Sequence, residues 1–255
     1  MFQLQDASFA VEDKIILHPT KLGFKKGMIT TLLGHNGCGK STLVKLLGRQ
    51  NQPASGDVLF NDKPVSSFSS RDFALNVAYL PQHPPITDGV TVRELVFFGR
   101  YPWKGIFGRY SKKDHLLVDE AIEKVGLTSL HDRFVATLSG GERQRAWVAM
   151  LLAQQSSCVI LDEPTSALDI AHQYELLSLI QELNKTSGLT VIMVLHDVNM
   201  AAKFSDQLVA LHSGRVIAEG TPQELMKPDT LMKIYGMKLE LFLHPVTNQP
   251  ISYIP

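Results

Sequence analysis

Cysteine is scarce in this chain, with two in 255 residues, Cys38 and Cys158. One lies in a glycine-rich loop and the other in an apolar run, so no disulfide framework can be drawn and a reducing compartment is expected. Long hydrophobic runs are missing too. The runs present all fall far short of the ~20 residues of a membrane-spanning helix. Neither sign of charge is in excess: 25 Lys+Arg balance 25 Asp+Glu. No overall field favours nucleic acid or an anionic membrane, and nucleic acid is not an expected partner. The opening Met1-Phe2-Gln3-Leu4 carries no basic stretch before an apolar one, so no export signal is expected. If the protein serves a membrane, it should do so from the cytoplasmic side through a partner. What remains is 44% hydrophobic and 20% charged, the balance of a globular protein of one large or two small domains.

The densest chemical signal is Gly34-His35-Asn36-Gly37-Cys38-Gly39-Lys40-Ser41-Thr42. It lies between the apolar Met28–Leu33, a predicted strand, and Leu43–Leu47, a predicted helix ending at Gly48. The spacing fits G-x-x-x-x-G-K-[ST], the phosphate-binding loop. Triphosphate oxygens need many donors in little space. Glycines let successive backbone N–H groups turn inward without a Cβ clash, and the following helix points its positive end at the same anion. Lys40 is then expected to reach the β- and γ-phosphates and the Ser41 hydroxyl to hold Mg²⁺. A bulky label on Cys38 should block nucleotide.

Along the chain, Phe2–Gln5, Ala7–Val11 and Leu22–Phe24 alternate as strand segments, and Asp57–Phe60 and Val77–Leu80 follow. From Thr91 to about Gln154 the period becomes helical, with helices at 92–98, 114–125 and 140–153. The first two are joined by Gly99–Gly105, a basic and aromatic loop that reads equally as a linker with rings packed inward or as a partner contact. Apolar strands return at Cys158–Leu161 and Thr190–Leu195, each suited to burial on both faces. Between them Ile170–Lys185 is amphipathic, with Gly188 just past its end. Thr221-Pro222-Gln223-Glu224 opens a further helix with a capping box. Leu239–Pro255 shows no regular pattern.

Asp162-Glu163 closes the Cys158–Leu161 strand. Alone it would be an exposed strand end; beside a phosphate loop, a carboxylate there suits Mg²⁺. Adjacent strand residues face opposite ways, so Asp162 can take the metal while Glu163 orients or deprotonates a water. A lone histidine such as His196 is ordinarily structural. It gains weight because strand C-termini in an open parallel sheet converge on the ligand crevice. Ser139 and Glu142 make a capping box, yet Gly140 and Gly141 weaken the helix start that the box protects. A helix N-terminus that must sit against an anion explains them. Because the segment is far from Gly34–Ser41 in sequence, that anion is a candidate for a nucleotide held by a second copy.

Together these residues resemble the ATP-binding-cassette (ABC) transporter ATPases over essentially the whole chain. Gly34–Ser41 matches Walker A, Gln82 the Q-loop, and Leu138–Gln144 the signature Leu-Ser-Gly-Gly-x-x-Gln. Val159–Asp162 with Glu163 matches Walker B and its glutamate, Ser166–Asp169 the D-loop, and His196 the switch histidine. Gly99–Trp103, Gly141–Trp147, Ser166–Gln173 and Asn199–Ala202 are most similar to the ATPases of ferric hydroxamate importers. Importers of ferric catecholates, ferric citrate, haem and cobalamin share much of this.

The resemblance implies an α/β fold: a P-loop NTPase (RecA-like) core with a mixed, largely parallel sheet, an N-terminal antiparallel β part and an inserted α-helical subdomain. It divides the chain into a discontinuous core at 1–82 and 155–220, a helical signature subdomain at 83–154, and C-terminal helices and tail at 221–255. It implies a head-to-tail homodimer with each ATP between Gly34–Thr42 of one copy and Ser139, Gly140, Gly141, Glu142 and Asp169 of the other. Glu163, His196 and Gln82 are then catalytic, and Ser41, Gln82 and Asp162 hold the metal. The implied partners are a membrane permease and, through it, a substrate-binding protein, at the cytoplasmic face of the inner membrane. One departure stands out: where many members stack adenine on an aromatic residue, this chain has Val11.

Overall fold

Alternation within short apolar runs decides the layers. In β3 (Ile29–Leu33), Ile29 and Leu33 face one side of the central sheet and Leu32 the other. β7 (Cys158–Leu161) and β8 (Thr190–Val194) repeat this: Val159, Leu161, Val191 and Met193 face one core; Cys158, Ile160, Ile192 and Val194 face the second. Strands buried on both faces require cover on both. The computed structural model describes residues 1–85, 88–104, 108–246 and 248–255.

One cover is an antiparallel sheet of β1 (Phe2–Val11), β2 (Lys14–Phe24), β4 (Ser55–Phe60) and β5 (Lys63–Pro64), in the order β2-β1-β4-β5. Between it and the central sheet lies α1 (Lys40–Leu47), whose Leu43, Val44, Leu46 and Leu47 are fully buried. β1 is one strand where the sequence suggests two segments; register shifts near Asp6, which has φ 52°, account for the apparent break. β2 begins at Lys14, well before the expected Leu22, because pairing with β1 overrides its mixed pattern.

The central sheet runs β10-β9-β3-β8-β7-β6 and adds β6 (Val77–Leu80), β9 (Gln207–His212) and β10 (Arg215–Gly220). All its pairings are parallel except β9–β10. α2 (Ser70–Asn76), before β6, adds Phe73 to the core that α1 occupies; the other face is covered by α3 (Val92–Phe98), α5 (Lys112–Lys124) and α6 (Gly140–Gln154), which with α4 (Tyr101–Lys104) lie between β6 and β7. α7 (Ile170–Ser187) and α8 (Val198–Phe204) flank β8. α7 buries Leu176, Leu177, Ile180 and Leu183 and ends at Gly188 with φ 64°. Tyr174, on the same expected stripe, is 43% exposed.

Within residues 99–104, Gly99 and Arg100 are buried, while the Tyr101 and Trp103 rings stay 50% and 39% exposed. Trp103 donates from Nε1 to the Gln154 carbonyl at 2.8 Å, and Arg71 donates to the Pro102 and Trp103 carbonyls. The Arg100 guanidinium lies buried against Asp114 at 3.1 Å and over the Trp103 ring. Tyr101–Lys104 is a short helix rather than a loop. Gly105 lies outside the described residues.

After α9 (Pro222–Leu225) and α10 (Pro228–Tyr235), the tail expected to be irregular forms a hairpin, β11 (Glu240–Leu243) with β12 (Pro250–Tyr253). Asn199 of α8 latches it: Nδ2 donates to the Ser252 carbonyl at 3.0 Å, and Ser252 N and Oγ donate to Oδ1.

Candidate functional site

Four parallel strands end on one side of the central sheet, and each releases a residue of interest just past its end. β3 leads to Gly34–Thr42, β6 to Gln82, β7 to Asp162 and Glu163, and β8 to His196. The Gly34–Thr42 loop has the backbone that the motif calls for. Gly34, Gly37 and Gly39 have φ of 146°, 78° and 104°. A Cβ on Gly34 would stand 2.3 Å from the Leu211 carbonyl oxygen and 2.6 Å from Cys38 Sγ, so only glycine fits.

Lys40, 4% exposed, arches back across the loop and donates from Nζ to the carbonyls of Gly34 (2.8 Å) and His35 (2.9 Å). Reaching a phosphate requires exchanging these carbonyls for phosphate oxygens. Asn36 and Gly37 are exposed, and Thr42 is half-buried. His35 holds the Asn36 carbonyl through Nδ1 and meets the His212 ring edge-on at 4.7 Å. Cys38 is fully buried under Gly34, and burial pushes its thiol up despite the Lys40 charge. A label therefore cannot reach that thiol from the mouth of the loop, and blocking nucleotide that way would first require opening the loop.

The Ser41 hydroxyl donates to Asp162 Oδ1 at 3.0 Å. Asp162 is 2% exposed; burial raises its pKa and Glu163 adds to this, against the Ser41 bond and the charges of Lys45 and Lys40. These hard oxygens suit a small divalent cation that keeps several waters and takes one or two protein ligands. Among the described residues, no group of three or more His, Cys, Asp and Glu could cage a metal. The donor set therefore fits a divalent cation bound together with nucleotide phosphates.

Glu163 sits beyond the strand, not in it. Its φ of 52° is left-handed, and this turn, rather than strand alternation, separates it from Asp162. Such a conformation costs about 1–3 kcal/mol and persists where the surroundings enforce it. Its Oε2 accepts from Gln82 Nε2 at 2.6 Å and pairs with His196 Nε2 at 2.8 Å. The two donors on one oxygen fix the carboxylate's rotation and leave Oε1 without a hydrogen bond among the described residues. Gln82 thus meets Glu163, while Ser41 meets Asp162.

Gln82 and Glu163 also line a cavity of about 480 Å³ that runs to Gly140, Arg143 and Gln144 of α6. A larger cavity, about 640 Å³, lies under the C-terminal hairpin between α7 and α8 and contains none of these residues.

The Ser139–Glu142 capping box is complete: Ser139 N donates to Glu142 Oε2 at 2.8 Å and Glu142 N to Ser139 Oγ at 3.3 Å. The bonds from Ser139 draw the Glu142 carboxyl below its usual range. Asp169 caps α7, accepting from His172 N (2.9 Å) and meeting His172 Nδ1 (2.8 Å). Among the described residues, no hydrogen bond or ion pair joins 34–42 to 139–142 or to Asp169. Val11 is exposed at the hairpin end, and the Phe9 ring packs against the core.

A parallel sheet with a glycine-rich anion loop, a buried carboxylate beside the loop serine and a clamped glutamate defines a P-loop nucleotide-hydrolysing domain. Residues 17–166 match the family described as "ABC transporter". The chain is 44% identical to the iron(3+)-hydroxamate import ATP-binding protein FhuC of Bacillus subtilis (strain 168), over 94% of this chain and 89% of that one. It is 42% identical to the ferric enterobactin transport ATP-binding protein FepC of Escherichia coli (strain K12), over 88% and 83%. In fold it follows the dimeric structure of MJ0796, a bacterial ABC transporter cassette, with a TM-score of 0.76 over 87% of this chain and 99% of that one, at 24% identity. The chain belongs to the ABC transporter family, as one of its ATP-hydrolysing subunits.

Proposed function

We propose that this chain is the ATPase of an importer of iron(III)-hydroxamate siderophores, hydrolysing ATP in a head-to-tail homodimer. The observation that carries the chemistry is the pair of donors on Glu163 Oε2, from Gln82 and His196, beside the Ser41–Asp162 contact. Glu163 is the catalytic carboxylate, aligning the attacking water through Oε1. Its fixed rotation is the positioning that phosphoryl transfer depends on. His196, at the same carboxylate, donates to the γ-phosphate once nucleotide is bound. Gln82 links this carboxylate to α6 through the cavity they share. Lys40 and the backbone N–H groups of 34–42 hold the phosphates. Ser41 and Asp162, with Gln82 at the rim, would hold Mg²⁺, which supplies charge neutralisation on the phosphates when bound.

Ser139, Gly140, Gly141, Glu142 and Asp169 complete the partner's site. Supporting this, nothing among the described residues requires Gly140 to lack a side chain, since a Cβ there would make ordinary contacts with the Ala167 carbonyl and Leu168. The core at 1–82 and 155–220, the helical subdomain at 83–154 and the C-terminal part at 221–255 move as the units of this cycle. No helix among the described residues is long and apolar enough to cross a membrane. In this reading the work is coupled to a separate permease at the cytoplasmic face of the inner membrane, which in turn meets a substrate-binding protein.

The hydroxamate assignment is supported by the 44% identity to the hydroxamate-import relative. An importer of a catecholate complex is the second reading, favoured by the 42% identity to the enterobactin relative. The test is uptake of radiolabelled ferrichrome iron by cells lacking this chain. Restoration by wild type and not by Glu163→Gln is expected. Intact uptake in the deletion strain would remove the hydroxamate assignment and direct the assay to ferric enterobactin.

A further inference from the structure

Gly140 and Gly141 follow the same cap and meet different surroundings. A Cβ on Gly140 has room; one on Gly141 would stand 2.7 Å from Cδ2, 3.0 Å from Cγ and 3.3 Å from Nε2 of His172. That ring cannot swing aside freely. Its Nδ1 is held at 2.8 Å by Asp169 Oδ1, and the same oxygen accepts from the His172 backbone N–H at 2.9 Å. One imidazole is therefore tied on one edge to the cap of α7 and pressed on the other against the second residue of α6. One turn further along both helices, Arg145 Nη1 meets Glu175 Oε2 at 2.9 Å, a second rung between the same two faces.

We propose that His172 is a positioning residue that sets where the Ser139–Glu142 helix start lies relative to Asp169, and that Gly141 lacks a side chain to admit this ring. The inference rests on the reading that both segments face a partner's nucleotide. His172 touches no nucleotide in that reading; it holds at one spacing two segments that must meet the partner together. With the ring removed, the one ion pair left between α6 and α7 among the described residues is the Arg145–Glu175 rung, which is partly exposed and correspondingly weak.

The test is a double-mutant cycle in the full chain with Gly141→Ala and His172→Ala, read by melting temperature and by ATP-driven dimerisation. With His172 present, Gly141→Ala should lower the melting temperature. In the His172→Ala background the same change should raise it, because alanine otherwise favours a helix over glycine. His172→Ala alone should weaken ATP-driven dimerisation about tenfold, the size of a typical contact coupling. Nucleotide affinity of the monomer should stay unchanged, and His172→Asn, which keeps an N–H for Asp169, should recover most of the loss.

The same sign of effect for Gly141→Ala in both backgrounds overturns the contact. Undiminished dimerisation of His172→Ala overturns the positioning role. The thermal cycle needs no dimer, so it stands apart from the partner-site reading. That reading fails separately if Ser139→Arg dimerises normally with ATP.

Discussion

In the proposed function Glu163 concentrates the chemistry in one carboxylate whose backbone is left-handed and whose Oε2 meets both Gln82 and His196. Glu163→Gln preserves shape and removes the base. Turnover should fall by about 10²–10⁴-fold, the usual contribution of general-base catalysis, with ATP affinity retained. Single-turnover hydrolysis and equilibrium nucleotide binding check this together. Gly34 makes the opposite case, where geometry alone decides. Gly34→Ala forces a Cβ into the Leu211 carbonyl and should cost stability as well as nucleotide binding, detectable as a lower melting temperature without ligand. The residues proposed for phosphate chemistry were legible in the sequence as residue types at a fixed offset from a strand end, and the structure brings them to one end of the central sheet. The left-handed turn at Glu163 was not: nothing in Leu161-Asp162-Glu163-Pro164 marks a non-glycine at positive φ. The reason for Gly141 was equally hidden, because it depends on where α7 lies against α6, whereas the Asp169 cap is local to α7.

At the scale of elements, the joint between α3 and α5 is built around buried charge. Burial alone would raise Asp114, but hydrogen bonds from Ser111, Lys104 and Arg100 hold it well below the usual carboxylate range. A carboxylate depressed in the folded state contributes stability above its unfolded pKa of about 3.9 and loses that contribution as pH falls below it. The stability advantage of wild type over Asp114→Asn should therefore be constant from neutral pH to about pH 4 and shrink below, as urea titrations at several pH values would show. Arg100→Ala strands Asp114 with fewer partners in a buried setting and should cost about 3–5 kcal/mol. The C-terminal hairpin is an element of another kind, fixed to α8 by the Asn199–Ser252 bonds. Asn199→Ala leaves the Ser252 N–H unpaired and should cost about 1–3 kcal/mol, with faster amide exchange confined to 240–253. Periodicity found helices α3 and α5 to α7 and the central strands, but not α2, α4 or α10. It missed the hairpin because Pro245 and Pro250 interrupt the alternation, and the strands are stabilised from outside by Asn199. It missed the early start of β2 because pairing with β1, not its own pattern, makes Lys14–Thr20 extended.

For the whole molecule, the two halves of the proposed nucleotide site lie on different parts of one chain. Gly34–Thr42 and Asp162–Glu163 close one half, and Ser139–Glu142 with Asp169 form the other, with no bond joining them among the described residues. The account therefore predicts that ATP brings two copies together. Light scattering of Glu163→Gln with and without Mg–ATP tests this most directly. The 28.3 kDa chain should double in mass when ATP is added, and adding Ser139→Arg to Glu163→Gln should return it to the monomer with ATP still bound. A Glu163→Gln protein that stays monomeric with ATP bound, or a double variant that dimerises as well as the single one, would contradict the shared site.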